Sequence, residues 1–502
     1  MTPERSRRAP PKAGPMIEAL RGLGYSAATA LADIIDNSIA AGAHAVDIDF
    51  RWAGESSTVS LLDDGRGMAD AELDVAMRLG ELNPLAARSP GDLGRFGLGL
   101  KTASFSQARR LTVASVRDGV TSCLRWDLDF LASNAEQEWL LLEGSHPGSE
   151  HLLTPLSRRK SGTLVLWELL DRIVTPGASE QDFLDQIDQV EKHLGMVFHR
   201  FIQAPSPRLT ITINGRAIAP WDPFLASHPA TWNSPAVPFG GSSGVLVAGH
   251  VLPHRDRLTE AEHAAAAGPD GWTAQQGFYV YRNERLLVAG SWLGLGRSRP
   301  WTKEEPFRLA RLRLDIPNTA DADWKIDIRK SRARPPAVVR ERLIRLAEDT
   351  RERARRVFAH RGQQLPTAGK EPLTQAWRAD HYKGGVRYRI DLEHPAVRAV
   401  LDDVGVLEPQ LRAMLRVIEE TIPVQRIWLD TAEAMETPRT AFAAEPEAEV
   451  RAVLEVLYRN LVRRKGLSSA EARARLLRTE PFNNHPKLIA SLPEDDGETG
   501  GT

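Results

Sequence analysis

Two polar residues one helical turn apart, Asp33 and Asn37, could bind a water molecule and a hard metal ion. Apolar residues recur at helical spacing through residues 29–41, so we expect both side chains on one face of a helix. Carboxylate and carboxamide oxygens are ligands that Mg²⁺ prefers. The segment therefore predicts a helix that presents oxygen atoms to a metal ion and a water molecule.

A second polar group follows a predicted strand at residues 58–62. The strand ends at Asp63, and Gly65, Gly67 and Met68 come directly after it. Glycine lets the backbone approach a flat ligand where a Cβ atom would collide. Asp63 is placed to accept a hydrogen bond from an exocyclic amine such as that of adenine. Taken alone, Asp-Gly-Arg-Gly is most often a turn.

A third segment is rich in glycine and leads into a helix predicted at residues 100–107. Its glycines are Gly94, Gly97 and Gly99. Exposed backbone N–H groups in such a loop favour phosphate. The segment is not a P-loop, because Leu100 separates Gly99 from Lys101, and its glycine spacing is the reverse of the dinucleotide-binding motif.

In this order and spacing, the three segments resemble the motifs of the GHKL ATPase superfamily. That superfamily includes gyrase B-type topoisomerases, ninety-kilodalton heat-shock chaperones, histidine kinases, MutL and MORC proteins. The Gly-Leu-Lys-Thr sequence at residues 99–102 is most similar to the MORC and heat-shock members. A fourth family motif, a threonine after glycine in a strand, matches Gly162 and Thr163. The resemblance covers the N-terminal part of the chain and implies ATP and Mg²⁺ as ligands.

The resemblance also implies a role for each matched residue. Asp33 takes the place of the general base, Asn37 that of the Mg²⁺ ligand and Asp63 that of the adenine anchor. The residues expected along the base are Gly65, Gly67 and Met68, with Thr163 as a further nucleotide contact. The residues expected in the lid over the phosphates are Gly94, Gly97, Gly99, Leu100, Lys101 and Thr102.

Two positions depart from the family pattern. The family usually has glutamate where this chain has Asp33, and aspartate is shorter by one methylene group, roughly 1.5 Å of reach. A displaced base lowers the rate of hydrolysis strongly. Ala40 stands where relatives often carry aspartate. The sequence therefore supports nucleotide binding more firmly than hydrolysis.

Composition sets broad limits on the protein. The chain has 502 residues, a formal net charge of −1 and one cysteine, Cys123. This length predicts about two to four domains. The near-neutral charge gives no general attraction to nucleic acid or membrane, and one cysteine excludes an intrachain disulfide. No apolar run reaches membrane-spanning length and residues 1–12 lack a secretory signal, so we expect a soluble, cytoplasmic protein with no membrane partner.

The predicted fold class is α/β, with a Bergerat-type sandwich followed by a ribosomal-protein-like βαβ transducer domain and a mostly helical C-terminal region. Helix 180–199 is expected to close the ATPase domain, and strand 209–215 to open the transducer. The expected ranges are a disordered basic arm at 1–15, the ATPase domain at 16–205, the transducer at 206–365, the helical region at 366–492 and a disordered acidic tail at 493–502.

In relatives with a transducer, a lysine of that domain reaches the γ-phosphate. The candidates here are Lys325 and Lys330, of which we favour Lys330 because it ends an alternating segment. A solvated lysine is an equally good interpretation of either residue. The arginine-rich helix predicted at 336–356 could follow a DNA backbone. Its Glu–Arg pairs at helical spacing favour a solvated face instead.

These patterns favour an ATP-gated molecular clamp that dimerises through its ATPase domain. The resemblance implies that its load could be DNA and that it could act in phage defence. One alternative is a chaperone whose clamp holds protein clients. A second is a nucleotide-sensing scaffold with little turnover, which the aspartate at position 33 favours. His193 and His199 are expected to be partly buried structural residues, so a histidine kinase is not expected.

Overall fold

The computed structural model describes most of the chain and divides it into two compact units, Met1–Gly362 and Gln363–Thr502. The described residues are 11–81, 99–134, 138–204, 208–239, 244–317, 324–326, 333–359, 374–382, 385–427, 448–464, 466–479 and 482–493.

The first unit contains eleven helices within its described residues, and most of them are short. They are α1 (Ala13–Arg21), α2 (Ala27–Ala40), α3 (Asp70–Met77), α4 (Gly99–Phe105), α5 (Leu128–Ser133), α6 (Thr154–Ser157), α7 (Glu180–Val197), α8 (His199–Ile202), α9 (Glu260–Ala267), α10 (Gly271–Ala274) and α11 (Ala337–Ala359). Single 3₁₀ turns lie at Glu150–Leu153, Arg255–Arg257 and Glu305–Phe307.

Helix α2 has clear sequence signals at both ends. Ser26 and Thr29 form a capping box, in which each side chain accepts a hydrogen bond from the other residue's backbone N–H, at 3.2 and 3.0 Å. Such a cap satisfies N–H groups that the first turn leaves without partners. The helix stops before Gly42, whose φ of +77° suits glycine. The predicted helix is therefore confirmed to within two residues at its start and one at its end.

Eight strands form the first sheet. They are β1 (Ala45–Arg51), β2 (Thr58–Asp63), β3 (Arg110–Arg117), β4 (Val120–Asp127), β5 (Leu142–Glu143), β6 (Gly162–Glu168), β7 (Thr210–Ile213) and β8 (Arg216–Ala217). Their spatial order is β5-β4-β3-β6-β2-β1-β7-β8. All neighbouring pairs are antiparallel except β1 and β7. The expected α/β class is confirmed.

Side chains alternate between the two faces of this sheet, and each face packs in a different hydrophobic core. Leu61 and Val113 belong to the large core that also contains residues of α1, α2, α4 and α7. Leu62 and Ala114, their chain neighbours, belong to a smaller core on the opposite face, beneath Leu156 of α6. This alternation is the period-two pattern of a strand buried on both sides.

Strand 209–215 was expected to open a second domain, and this placement is wrong. Its observed core, β7, pairs in parallel with β1 from Ala45↔Thr210 to Ile48↔Ile213. The first sheet therefore extends beyond the expected boundary at residue 205. The alternation along the strand shows that one face is buried, but it does not show which sheet provides the partner.

A second sheet follows within the first unit. Its strands are β9 (Trp232–Asn233), β10 (Val237–Phe239), β11 (Val245–Val251), β12 (Gly277–Arg282), β13 (Arg285–Ser291) and β14 (Ala310–Ile316). The order is β10-β11-β14-β12-β13, with β9 paired to β11. Helix α11 places Leu343, Ile344 and Ala347 in the core of this sheet. Its assignment to a ribosomal-protein-like transducer stays a prediction.

The second unit is mostly helical over its described residues. One hairpin, β15 (Trp377–Tyr382) and β16 (Gly385–Ile390), precedes helices α12 (Pro395–Asp403), α13 (Glu408–Glu420), α14 (Ala448–Arg459), α15 (Ser469–Leu476) and α16 (Pro486–Ala490). A π-helical turn lies at Asn460–Arg464, and 3₁₀ turns at Gly405–Leu407 and Phe482–Asn484. Among the described residues of either unit, no helix is both long and apolar enough to cross a bilayer.

The packing of α7 on the first sheet gives a test of the fold. Leu194 is fully buried in the large core, whereas Leu184 on the same helix is 47% exposed. Leu194→Ala should lower the free energy of unfolding by about 3 kcal/mol through lost burial and a residual cavity. Leu184→Ala, the matched control, should lower it by less than about 0.5 kcal/mol. Denaturant unfolding followed by circular dichroism measures both, and equal losses would contradict this packing.

Candidate functional site

Asp63 is the buried centre of the site. It ends β2 and is only 4% exposed. Its Oδ2 atom accepts a hydrogen bond from the Ser38 hydroxyl at 2.8 Å. Its Oδ1 atom accepts bonds from the backbone N–H groups of Gly65 at 2.9 Å and Thr163 at 3.2 Å. Burial raises the pKa of the Asp63 carboxyl, and these three hydrogen bonds oppose the rise. One carboxylate thus joins α2, the turn at residues 64–68 (the glycine turn) and β6.

Ser115 of β3 holds the other side of the glycine turn. Its hydroxyl oxygen accepts a bond from the backbone N–H of Met68 at 2.8 Å and lies 2.9 Å from the Thr163 hydroxyl. The same hydroxyl is bonded to the carbonyl oxygen of Gly162 at 3.1 Å. Sequence reasoning missed Ser115 and Ser38. A buried serine in a strand or helix carries no local signal that distinguishes it from any other.

Gly67 is required by packing inside the protein. It has a φ of +68°, and a Cβ atom built there would lie 1.9 Å from the carbonyl oxygen of Val116 in β3. At Gly65, a Cβ atom would lie 2.9 Å from the Cβ atom of Ala41. The glycines were expected to admit a flat ligand, but these close approaches are to the protein's own atoms.

Asp33 and Asn37 lie one turn apart on α2, as predicted, but in different environments. Asp33 is 5% exposed, and its Oδ2 atom accepts a hydrogen bond from the Tyr25 hydroxyl at 3.0 Å. Asn37 is exposed. Gly99, the first residue of α4, lies beside Asp33, because a Cβ atom built on it would be 3.7 Å from Asp33 Oδ2. The first and third sequence motifs therefore meet at Asp33.

A cation from the second sheet also reaches this carboxylate. The Nη2 atom of Arg285, on β13, lies 3.7 Å from Asp33 Oδ1, and its Nε atom donates to Asp36 at 3.2 Å. Asp36 is 1% exposed and Arg285 is 4% exposed. Sequence reasoning missed Arg285 and Tyr25, since only the tertiary fold brings them to α2.

Lys101 is buried and bonded to the protein's own backbone. It is 3% exposed, and its Nζ atom donates to the carbonyl oxygen of Ala76, in the last turn of α3, at 2.8 Å. A cation is favourable at a helix C-terminus. Burial nevertheless lowers the pKa of the Lys101 ammonium to about 8. Its neighbour Leu100 packs against the large core, and Thr102 is buried.

Three predicted site residues lie outside the described part of the chain. They are Gly94, Gly97 and Lys330. The alternative lysine, Lys325, is described: it is exposed and has a φ of +47°. The structure therefore does not choose between the two lysines.

The two histidines expected to be structural are both withdrawn from water. His199 Nε2 lies 2.9 Å from the Tyr281 hydroxyl. Burial lowers the pKa of His199 to about 4, and burial together with the charge of Arg285 lowers that of His193 to about 4. Both rings are therefore neutral at pH 7.

A cavity of about 670 Å³ lies beside the C-terminal end of α3. It is lined mainly by apolar side chains of α1 and β4, among them Met16, Leu20 and Trp126, together with the end of α3. Its lining contains neither Asp33 nor Asp63. Sequence reasoning did not predict this cavity.

Two comparisons with known proteins found a match, and the first of them covers the segment that contains the site. Residues 25–163 match the family described as histidine kinase-, DNA gyrase B- and HSP90-like ATPase. Over 96 residues the chain is 33% identical to ATPase morc-1 of Caenorhabditis elegans, a match that covers 19% of this chain and 11% of that protein. The chain therefore matches about a tenth of the length of this relative.

The matched segment begins at Tyr25, which bonds Asp33, and ends at Thr163, which bonds Asp63. It contains Asn37 and the described end of the third motif. Sequence motifs, geometry and family match thus coincide. Residues 25–163 are therefore similar to the GHKL ATPases, the family of the histidine kinases, gyrase B and the HSP90-like proteins.

Proposed function

We propose that this protein binds ATP with Mg²⁺ in the cleft between α2, the glycine turn and α4, and hydrolyses it slowly. The buried Asp63, with its hydrogen bonds to Ser38, Gly65 and Thr163, carries the proposal. This arrangement lies inside the segment that matches the ATPase family.

Asp63 suits an exocyclic amine for a reason of hydrogen-bond capacity. An ionised carboxylate has about four acceptor positions. Among the described residues, three donors bond it: one hydroxyl and two backbone N–H groups. One position is left for the amine of adenine. An unpaired buried acceptor is costly, so a ligand that donates there gains specificity.

The phosphate end fits a metal held by few protein atoms. The described residues contain no group of three His, Cys, Asp or Glu side chains that could hold a metal ion. Mg²⁺ usually takes one or two protein oxygens and completes its shell with phosphates and water. The exposed carboxamide of Asn37 can supply one such oxygen. When bound, Mg²⁺ would neutralise phosphate charge during hydrolysis.

In this proposal Asp33 accepts the proton of the attacking water. The Tyr25 hydroxyl fixes one of its oxygens, and Gly99 brings the start of α4 close to it. General bases of this kind contribute about 10²–10⁴-fold in rate. Because aspartate is shorter than glutamate, slow turnover is expected.

A nucleotide-sensing scaffold with little turnover is the second candidate. The favouring observation is the environment of Asp33: one oxygen accepts a bond from Tyr25, and the other faces Arg285 at 3.7 Å. A base held in this way is less available to water than an open carboxylate. Nucleotide binding is common to both candidates.

The proposal extends to dimerisation and to a clamp cycle that acts on DNA or on a protein client. Such a cycle would serve a chaperone-like role or phage defence. The geometry of α11 gives DNA little support, because most of its arginines are engaged locally. Arg353 and Arg356 pair with acids one turn earlier, and Arg340 donates to the carbonyl oxygen of Gly294. Arg351 stacks over Phe307, with 3.7 Å between guanidinium carbon and ring centre. This pattern favours a solvated, internally paired helix face.

Replacing the proposed adenine anchor should weaken ATP binding strongly. In Asp63→Asn, an NH₂ group faces one or more of the three donors, and ATP affinity should fall by about 100-fold. The matched control is Asp64→Asn, because the Asp64 Oδ1 atom accepts backbone bonds from His44 and Ala45 that an asparagine oxygen can retain. Isothermal titration calorimetry with Mg-ATP measures both variants. Undiminished affinity in Asp63→Asn would contradict this site.

Replacing the base should separate hydrolysis from binding. Asp33→Asn should lower kcat at least about 100-fold while ATP affinity changes little. Phosphate release is measured for the wild type and the variant, with Asp63→Asn as the background. If the wild type binds ATP but does not exceed that background, hydrolysis is excluded under those conditions and the scaffold becomes the leading function.

The buried lysine predicts a pH dependence of binding. Lys101 is charged below its pKa of about 8 and neutral above it. If it contacts the phosphates, ATP affinity should fall as the pH rises from about 7 to about 9.5, since the neutral amine no longer attracts them. Lys101→Met should bind ATP more weakly at pH 7 and should lack this decline. A decline of equal size in Lys101→Met would exclude Lys101 as its source.

A further inference from the structure

Arg285 lies where three elements of the first unit meet. It begins β13 in the second sheet, yet its guanidinium group contacts Asp33 and Asp36 of α2. Helix α7 completes the site: the Phe198 ring at its end is 5.9 Å from the guanidinium carbon, and the charge of Arg285 helps to lower the pKa of His193. Arg285 is therefore a direct contact between the second sheet and the helix that carries the proposed base.

The charges at this junction are buried, so their pairing has energetic consequences. Asp33, Asp36 and Arg285 are all 5% exposed or less. Removing one partner of a buried ion pair leaves an uncompensated charge and is strongly destabilising. The position of β13 is therefore linked to the positions of the two carboxylates.

The shape of the side chain suits this link. Nε donates to Asp36 at 3.2 Å, Nη2 faces Asp33 at 3.7 Å, and Nη1 donates to the carbonyl oxygen of Leu286 at 2.8 Å. A planar guanidinium can address three acceptors in fixed directions, whereas a lysine ammonium is a point charge on a flexible stem. The 3.7 Å separation from Asp33 is the longest of the three and is the contact that a small movement of β13 changes most readily.

We propose that Arg285 is a positioning residue that couples the second sheet to Asp33. In the geometry described here, the guanidinium and the Tyr25 hydroxyl engage one oxygen each, which holds the carboxylate in a resting position. A shift of β13 relative to α2 moves the guanidinium away from Asp33, so that Asp33 can reach the attacking water. The ion pair between Arg285 and Asp36 is kept during this shift. This regulation rests on the proposed function, because it assigns to Asp33 the role of base.

A second ion pair between the same two parts of the unit provides a matched control. Arg200 of α8 pairs with Asp315 of β14 at 2.5 Å. The pair joins the helical layer of the first sheet to the second sheet, as Arg285 does, but it makes no contact with α2. Arg200→Met therefore measures the general effect of weakening the contact between the helical layer of the first sheet and the second sheet.

The test uses the full-length chain and the double variant Arg285→Met/Asp36→Asn, which removes one charge of each sign. Its kcat for ATP should rise about five-fold or more, the lower range of allosteric coupling, with KM within about two-fold of the wild type. Arg285→Lys, which keeps the charge, should give a smaller rise and serves if the double variant does not fold. Arg200→Met should change neither kinetic constant.

A second readout does not depend on hydrolysis. Hydrogen–deuterium exchange of residues 285–291 is compared with and without the non-hydrolysable analogue AMP-PNP and Mg²⁺. The wild type and Arg200→Met should respond to the nucleotide, and the double variant should not. Binding is measured separately by calorimetry, so a failed ATP site is distinguished from a failed coupling. If the protein binds nucleotide but does not hydrolyse it, the exchange experiment alone decides. The proposal is overturned if the double variant shows the same change in exchange on nucleotide binding as the wild type. It is also overturned if Arg200→Met shows the same rise in kcat as the double variant.

Discussion

The burial of one carboxylate, that of Asp63, is the constraint on which the candidate site depends. An ionised group at this depth is stable only with several donors around it. Those donors come from α2, the glycine turn and β6, three segments far apart in the chain. The hydrogen bonds to Asp63 therefore hold these three segments together. Ser115 holds the far side of the glycine turn, because its hydroxyl accepts a bond from the backbone N–H of Met68.

Helix α2 serves several neighbours because its faces carry different chemistry. Ser38 points to Asp63, Asn37 to solvent, and Asp33 and Asp36 to Arg285. The 3.6-residue period of the helix separates these directions within two turns. A rigid helix of this kind transmits a displacement at one face to the others. The proposed nucleotide contacts and the observed second-sheet contacts belong to the same element, which gives a coupling between them a physical route.

Local patterns predicted what local physics determines. The position of α2 followed from its apolar spacing. Asp63, Gly65 and Thr163 were selected from a familiar motif order, and the structure joins these three residues by hydrogen bonds. Partners fixed only by tertiary packing were missed, Arg285 above all. The same limit explains why strand 209–215 was placed in the wrong sheet: alternation identifies a buried face, but not the strand that pairs with it.

The aspartate at position 33 and the arginine at 285 can be understood together. A shorter side chain keeps its carboxylate close to α2, where the Tyr25 hydroxyl donates a hydrogen bond to it. Gly99 is also close, since a Cβ atom built on it would lie 3.7 Å from Asp33 Oδ2. A glutamate, with roughly 1.5 Å more reach, would place its carboxylate farther from α2 and from the Tyr25 hydroxyl. As the proposed base, Asp33 would have a resting position that its neighbours define, and its activity would depend on whether those neighbours move.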